Sequence, residues 1–253
     1  MTTTQLLRNS TGWLNSTVFG IGLASLCSDL SHETVTSVLP TILASMGVAA
    51  GVLGTIEGVA DGLSSAAKLY GGWWTDRLQH RKPLCAFGYG AMAFATGLIA
   101  AATTWPFVLI GRGLAWMARG LRTPARKALL AEAVPQQSYG CAFGFERMMD
   151  TLGAVAAPLV SLGLLSLGFA YRQVLWISVV PALLAVGAIL LLVRETVDRK
   201  PSPHPFLDSV RGLPKNFGRF LYGVGLFGAG DFAHSLRHQT SSIAFMRGIA
   251  LCL

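Results

Sequence analysis

An all-α, polytopic membrane protein is the fold class this sequence predicts, and three observations predict it. Of its 253 residues 52% are hydrophobic and only 13% charged, against about 25% charged in a soluble globular domain. The apolar residues gather in runs long enough to cross a bilayer, for which about 20 residues at 1.5 Å rise are needed. The basic residues cluster in alternate connections between those runs, the distribution that sets orientation in a membrane. A mean hydropathy of +0.53 agrees. The net charge of +8 is therefore read as a set of topology determinants, not as a phosphate-binding surface, and no nucleic-acid partner is expected.

Six spans stand out, at residues 18–46, 51–74, 84–104, 106–131, 148–168 and 173–193, with a weaker seventh at 220–236. The connections at 45–51 and 103–106 hold no Lys or Arg, and the turn near Gly168 holds only Arg172. Opposite them lie Arg8, then Arg77, Arg81 and Lys82, then Arg122, Arg126 and Lys127, read as anchors at the cytoplasmic end. Arg194, Arg199, Lys200, Arg211 and Lys215 follow. This asymmetry predicts an integral membrane protein with a cytoplasmic amino terminus. Residues 1–193 are expected to form a six-helix bundle, and 194–215, with Pro201, Pro203, Pro205 and Pro214, a cytoplasmic linker. Residues 216–253 then start a second bundle, because Gly225 to His234 echoes Gly22 to His32, both ending in Asp-x-x-His. From Arg237 onward neither a full span nor a loop-and-helix unit is legible, so a truncated chain, lacking its carboxy-terminal bundle or a partner chain, is expected.

Little points to an enzyme. Cys27, Cys85, Cys141 and Cys252 are scattered, and His80, His204, His234 and His238 lack metal-ligand spacing, so no metal or cofactor is expected. A Gly-x-x-x-x-Gly-Lys-Ser/Thr loop is absent from the sequence.

Charges inside the spans carry the functional reading, since each costs about 2.5–3.5 kcal/mol or more near the bilayer centre. The first span holds Asp29, His32 and Glu33 on one helical face, and the second holds Glu57 and Asp61 one turn apart, with Lys68 beyond. The fourth holds Arg112, Arg119, Arg122 and Arg126 in one stripe. The third and sixth spans carry no such stripe and are expected to face lipid, with spans one, two and four around a polar interior. Asp29, Glu33 and Asp61 are candidate proton-titrating groups, Arg112 a counter-charge or substrate anchor, and His32, Glu57 and Arg119 further lining. Small residues recur every four positions at Gly54, Gly58 and Gly62 and at Gly153, Ala157 and Ser161, the pattern of close helix contact.

The turn after the second span, Gly72-x-x-x-Asp76-Arg77-x-x-x-Arg81-Lys82, resembles the signature of the major facilitator superfamily of transporters. It departs at Gln79, where that signature has glycine. Arg112, twelve residues before Pro124, is similar to the family's second motif, with Trp116 in place of a glycine. Gly153 to Ala157 and Pro158 resembles the fifth-helix motif of proton-coupled antiporters. The resemblance covers the amino-terminal half of a twelve-helix facilitator and is similar to a bacterial subgroup of multidrug exporters. It implies secondary transport of small molecules by rocking of two bundles in the lipid bilayer, driven by protons, with Asp76 and Arg77 latching the cytoplasmic side.

Overall fold

The computed structural model describes residues 12–47, 50–195 and 223. Among them the chain is helical throughout: α1 Ser16–Ser45, α2 Ala50–Arg77, α3 Lys82–Ala101, α4 Trp105–Glu132, α5 Tyr139–Ser166 and α6 Tyr171–Leu192. The linker, the seventh span and its Asp-x-x-His echo lie outside the described residues. The shortest helix has 20 residues and the longest 30, so each reaches across about 30 Å of hydrocarbon. Of these, α3, α6 and the segment Gln136–Ser166 are long and apolar enough to cross a membrane by composition as well as length. The other three carry most of the charged residues. The molecule is an all-α polytopic membrane protein.

The helix ends follow from local chemistry. Asn15 caps α1 by accepting from the Val18 amide at 2.9 Å, and its amide nitrogen donates to the Ala133 carbonyl at 2.6 Å, tying the start of α1 to the end of α4. Ser16 donates to the Leu192 carbonyl at 2.8 Å, which fastens the same end to α6. Pro83 and Pro106 sit in the first turns of α3 and α4, where a missing amide hydrogen costs nothing. Gly168, at φ +88°, closes α5 in the left-handed conformation that a side chain disfavours. The fifth helix begins at Tyr139, nine residues before the expected 148, because polar Glu146 and Arg147 continue a helix whose hydropathy alone understates it.

Short connections make successive helices antiparallel. They pack in the spatial order α2, α4, α3, α6, α1, α5, so α1 and α4 face each other with α3 and α6 behind them. On the outer sides of α3 and α6, the helices expected to face lipid, Phe87, Phe94, Leu183 and Leu191 are exposed. Their inner sides are buried: Tyr89, Met92 and Thr96 of α3 back the space between α1 and α4. Close contacts rest on glycines. A Cβ on Gly153 would lie 2.4 Å from the Leu26 carbonyl oxygen, and one on Gly120 2.5 Å from that of Ser64. The glycines of α2 behave otherwise: Cβ atoms on Gly54, Gly58 and Gly62 would meet open space, so that stripe packs against nothing among the described residues.

This contrast gives a prediction. Gly54→Ala should leave thermal stability unchanged or raise it by up to about 1 kcal/mol, the helix-propensity difference. Gly120→Ala should lower it. Unfolding of the detergent-solubilised chain, followed by intrinsic fluorescence, compares the two.

Candidate functional site

The polar interior is a seam between α1 and α4. Their backbones approach closely at few positions, and the arginines of α4 span the gap. Because the helices are antiparallel, one turn of α4 meets one turn of α1. Arg112 donates to the Thr36 hydroxyl at 2.8 Å, and one turn on His32 and Trp116 meet edge to face at 4.9 Å. In the next turn Arg119 pairs with Asp29, at 2.8 Å from Oδ1 and 3.1 Å from Oδ2. Arg122 donates to Ser28 at 2.6 Å, and Arg126 to Ser25 at 2.6 Å. Four long cations on one helix thus face short acceptors on another.

Carboxylates offset those cations from three directions. Glu57 of α2 takes Arg112 at 2.9 Å, Asp29 takes Arg119, and Glu146 of α5 takes Arg126 at 2.6 Å. Asp150, also on α5, lies 3.8 Å from Arg126 and 3.1 Å from the exposed Arg147. Arg122 has no carboxylate among the described residues. Its guanidinium lies 3.8 Å over the Tyr89 ring, an attraction that strengthens away from water.

Two expectations change. Arg122 and Arg126 are not anchors at a membrane surface: they are 1% and 8% exposed, inside the seam. The hydrophobic neighbours of Arg122 on α3 keep water out, so its charge is held by Tyr89 and Ser28 instead. The polar interior also includes α5, through Glu146, which precedes the expected fifth span, and Asp150, which lies inside it. The i, i+4 spacing of these two acids is the sequence pattern that could have found them.

The remaining candidates are placed as follows. Glu33 is half-buried and Asp61 exposed, and neither forms an ion pair or side-chain hydrogen bond among the described residues. Asp29 and His32 are buried. On α5, Gly153 and Ala157 pack on α1, Pro158 faces outward, and Ser161 shares a 2.9 Å hydrogen bond with Ser37. The turn between α2 and α3 is a second charged cluster. Arg81 is buried, pairs with Glu132 at the end of α4, donates to the Thr75 carbonyl at 3.3 Å and lies 3.7 Å from Asp76. Glu195, just after α6, accepts from the backbone amides of Arg81 at 2.6 Å and Lys82 at 3.3 Å, capping α3. Arg77 stacks over Trp73 at 4.2 Å, and Gly72 leaves open space beside the turn. Among the described residues no His, Cys, Asp or Glu cluster is arranged to hold a metal ion.

The described residues thus form six helices of membrane-crossing length around a seam of buried charge. The chain belongs to the Major Facilitator Superfamily, whose family model matches residues 21–249. An uncharacterised MFS-type transporter of Methanocaldococcus jannaschii is 27% identical over 226 residues, which is 87% of this chain and 55% of that protein. A triacylglyceride transporter of Mycolicibacterium smegmatis is 28% identical over 87% of this chain and 39% of that protein. The solved structure of the peptide transporter POT in complex with sulfate shares the fold, with a TM-score of 0.67 at 16% identity over 84% of this chain and 46% of that one. The chain thus spans about half the length of the curated relatives it matches.

Proposed function

We propose that this chain supplies the first six-helix bundle of a secondary active transporter that exports small organic molecules in exchange for protons by alternating access. The observation that carries this reading is the Asp29–Arg119 pair, which sits at the meeting of α1 and α4 with its carboxylate side chain 6% and its guanidinium 22% exposed. A proton on Asp29 removes the counter-charge of Arg119, and a guanidinium left in a low-dielectric seam must find another acceptor. Protonation then favours whichever conformation supplies that acceptor, which is how a bound proton biases an equilibrium between two states.

In this scheme Asp29 carries the proton, with Glu33 and Asp61 as further titrating groups where no cation holds them. Arg112 is a fixed counter-charge anchored by Glu57 and Thr36. Gly153 and Ala157 form the surface on which α5 moves against α1, with Pro158 on the outer side of the same helix. The cluster of Asp76, Arg77, Arg81 and Lys82 latches the cytoplasmic side of a bacterial inner membrane, with the amino terminus on that same side, as the basic connections support. Residues 194–215 link this bundle to a second one that completes the path.

Proton flux in proteoliposomes tests the proposal. With a pH-sensitive dye inside, adding a transported compound from a panel of small organic molecules should shift the luminal pH. Asp29→Asn should abolish that shift, and an Asp29→Asn chain that couples fully would remove the residue from the mechanism. A second reading is favoured by the half-length match to the relatives: the chain binds but does not transport alone. In that case flux arises only on co-reconstitution with a second six-helix bundle.

A further inference from the structure

One turn of the α1–α4 seam carries no ion pair. Where its neighbours join an arginine to an acceptor, here two rings meet, His32 and Trp116 at an interplanar angle of 85°. Neither His32 Nε2 nor Trp116 Nε1 has a hydrogen-bond partner, and Arg112 Nη1, from the turn above Trp116, has none either. His32 is 3% and Arg112 1% exposed. The three side chains are neighbours, because Arg112 and Trp116 share a face of α4 and the Arg112 guanidinium lies 5.6 Å from the Trp116 ring centre.

Buried polar groups in folded proteins nearly always find partners, so three unpartnered nitrogens on adjoining side chains leave donors for an acceptor that this turn of the seam does not itself supply. The chemistry of the set restricts what that acceptor is. Indole and guanidinium nitrogens donate and never accept, and a histidine Nε2 donates when it bears the ring proton. The Nε and Nη2 of Arg112 are already used by Glu57 and Thr36, which leaves Nη1 as the free donor. An ionised oxygen makes stronger hydrogen bonds to such donors than a neutral one. The half-buried Trp116 ring adds an apolar surface beside them.

We propose that His32, Trp116 and Arg112 form the recognition point for a carboxylate or phosphate group, so that the transported molecule is a small organic oxyanion. This rests on the transporter reading above and narrows it to a substrate class. A phospholipid headgroup offers the same chemistry, and the test separates the two sources.

The full chain, purified in an uncharged detergent, is titrated calorimetrically with benzoate and inorganic phosphate, and with benzyltrimethylammonium as the cationic counterpart. At least one anion should bind and the cation should not. Trp116→Phe, which keeps an aromatic ring and loses the N–H, should weaken anion binding at least tenfold, and His32→Phe should do the same independently, with melting temperature as the folding check. Repeating the titration in phosphatidylcholine nanodiscs with and without phosphatidylglycerol identifies the source. Anion binding suppressed by phosphatidylglycerol points to a headgroup, and binding that persists points to a soluble substrate. The proposal is overturned if neither anion binds, if both substitutions leave anion binding intact, or if the cation binds in preference. Asp29-dependent proton flux driven by a cationic compound would leave the transporter reading standing while removing this one.

Discussion

Arg126→Met will destabilise the bundle by about 3–5 kcal/mol, the usual cost of removing one partner from a buried ion pair. The substitution keeps an unbranched chain of similar reach, so the loss is mainly electrostatic. Glu146 and Asp150, with side chains 6% and 7% exposed, would be left in the seam with one fewer cation, and the Ser25 hydroxyl would lose its donor. Asp150 retains Arg147, but Glu146 has no second ion pair among the described residues. The double variant Arg126→Met, Glu146→Gln should therefore recover part of the loss, because a neutral amide is cheaper to bury than an unpaired carboxylate. Arg119→Met should cost less, since Arg119 holds one carboxylate, Asp29, where Arg126 holds two. Thermal unfolding of the four chains in one detergent should place wild type highest and Arg126→Met below both the double variant and Arg119→Met. An Arg126→Met chain that melts with wild type would mean that Glu146 is not held by Arg126.

The same electrostatics explains why α1 and α4 are joined by side chains instead of by close backbone packing. A helix carrying four arginines cannot enter an apolar interior against another apolar helix. It can do so against a helix that offers Ser25, Ser28, Asp29 and Thr36 at matching turns, with Glu57 and Glu146 arriving from either side. The gap left between the backbones is the room those side chains need. It is also the place where a change of pairing moves one helix relative to another.

How much of this was legible in the sequence depends on the kind of signal. The six spans could be read because apolar runs of bilayer length are rare outside membranes. The stripe of arginines on α4 could be read because helical periodicity puts them on one face. The pairing could not. Nothing in the spacing of Asp29, Glu57, Glu146 and Asp150 says which arginine each one meets, since that is set by the order in which the helices pack. Hydropathy places the start of α5 too late for the same reason that it hides Glu146: a charge satisfied inside the bundle looks like a loop residue in a linear scan. Small-residue stripes are also ambiguous. Gly153, Ala157 and Ser161 do pack closely, whereas Gly54, Gly58 and Gly62 have the same spacing and face open space.

Gly153→Ala should be the most disruptive of the single-methyl changes on α5. The added Cβ would lie 2.4 Å from the Leu26 carbonyl oxygen, 3.0 Å from the Leu30 amide nitrogen and 3.1 Å from the Leu26 carbonyl carbon. All three are backbone atoms of α1, which have no rotamer to escape into, so the helices must separate. Separation would also open the packing at the fully buried Ala157 and stretch the 2.9 Å hydrogen bond between Ser161 and Ser37. Overpacking of this kind costs about 1–3 kcal/mol, more than the gain of up to about 1 kcal/mol that alanine brings to a helix. Gly163→Ala, on the same helix with open space around its Cβ, isolates the propensity gain. Gly22→Ala is the intermediate case, because its nearest neighbour is the Phe145 ring, a side chain that can turn aside. Melting temperatures should fall in the order Gly163→Ala, Gly22→Ala, Gly153→Ala. Equal values for the first and last would mean that α5 does not rest on the backbone of α1 at this turn, and the seam would lose the rigid wall that holds Glu146 against Arg126.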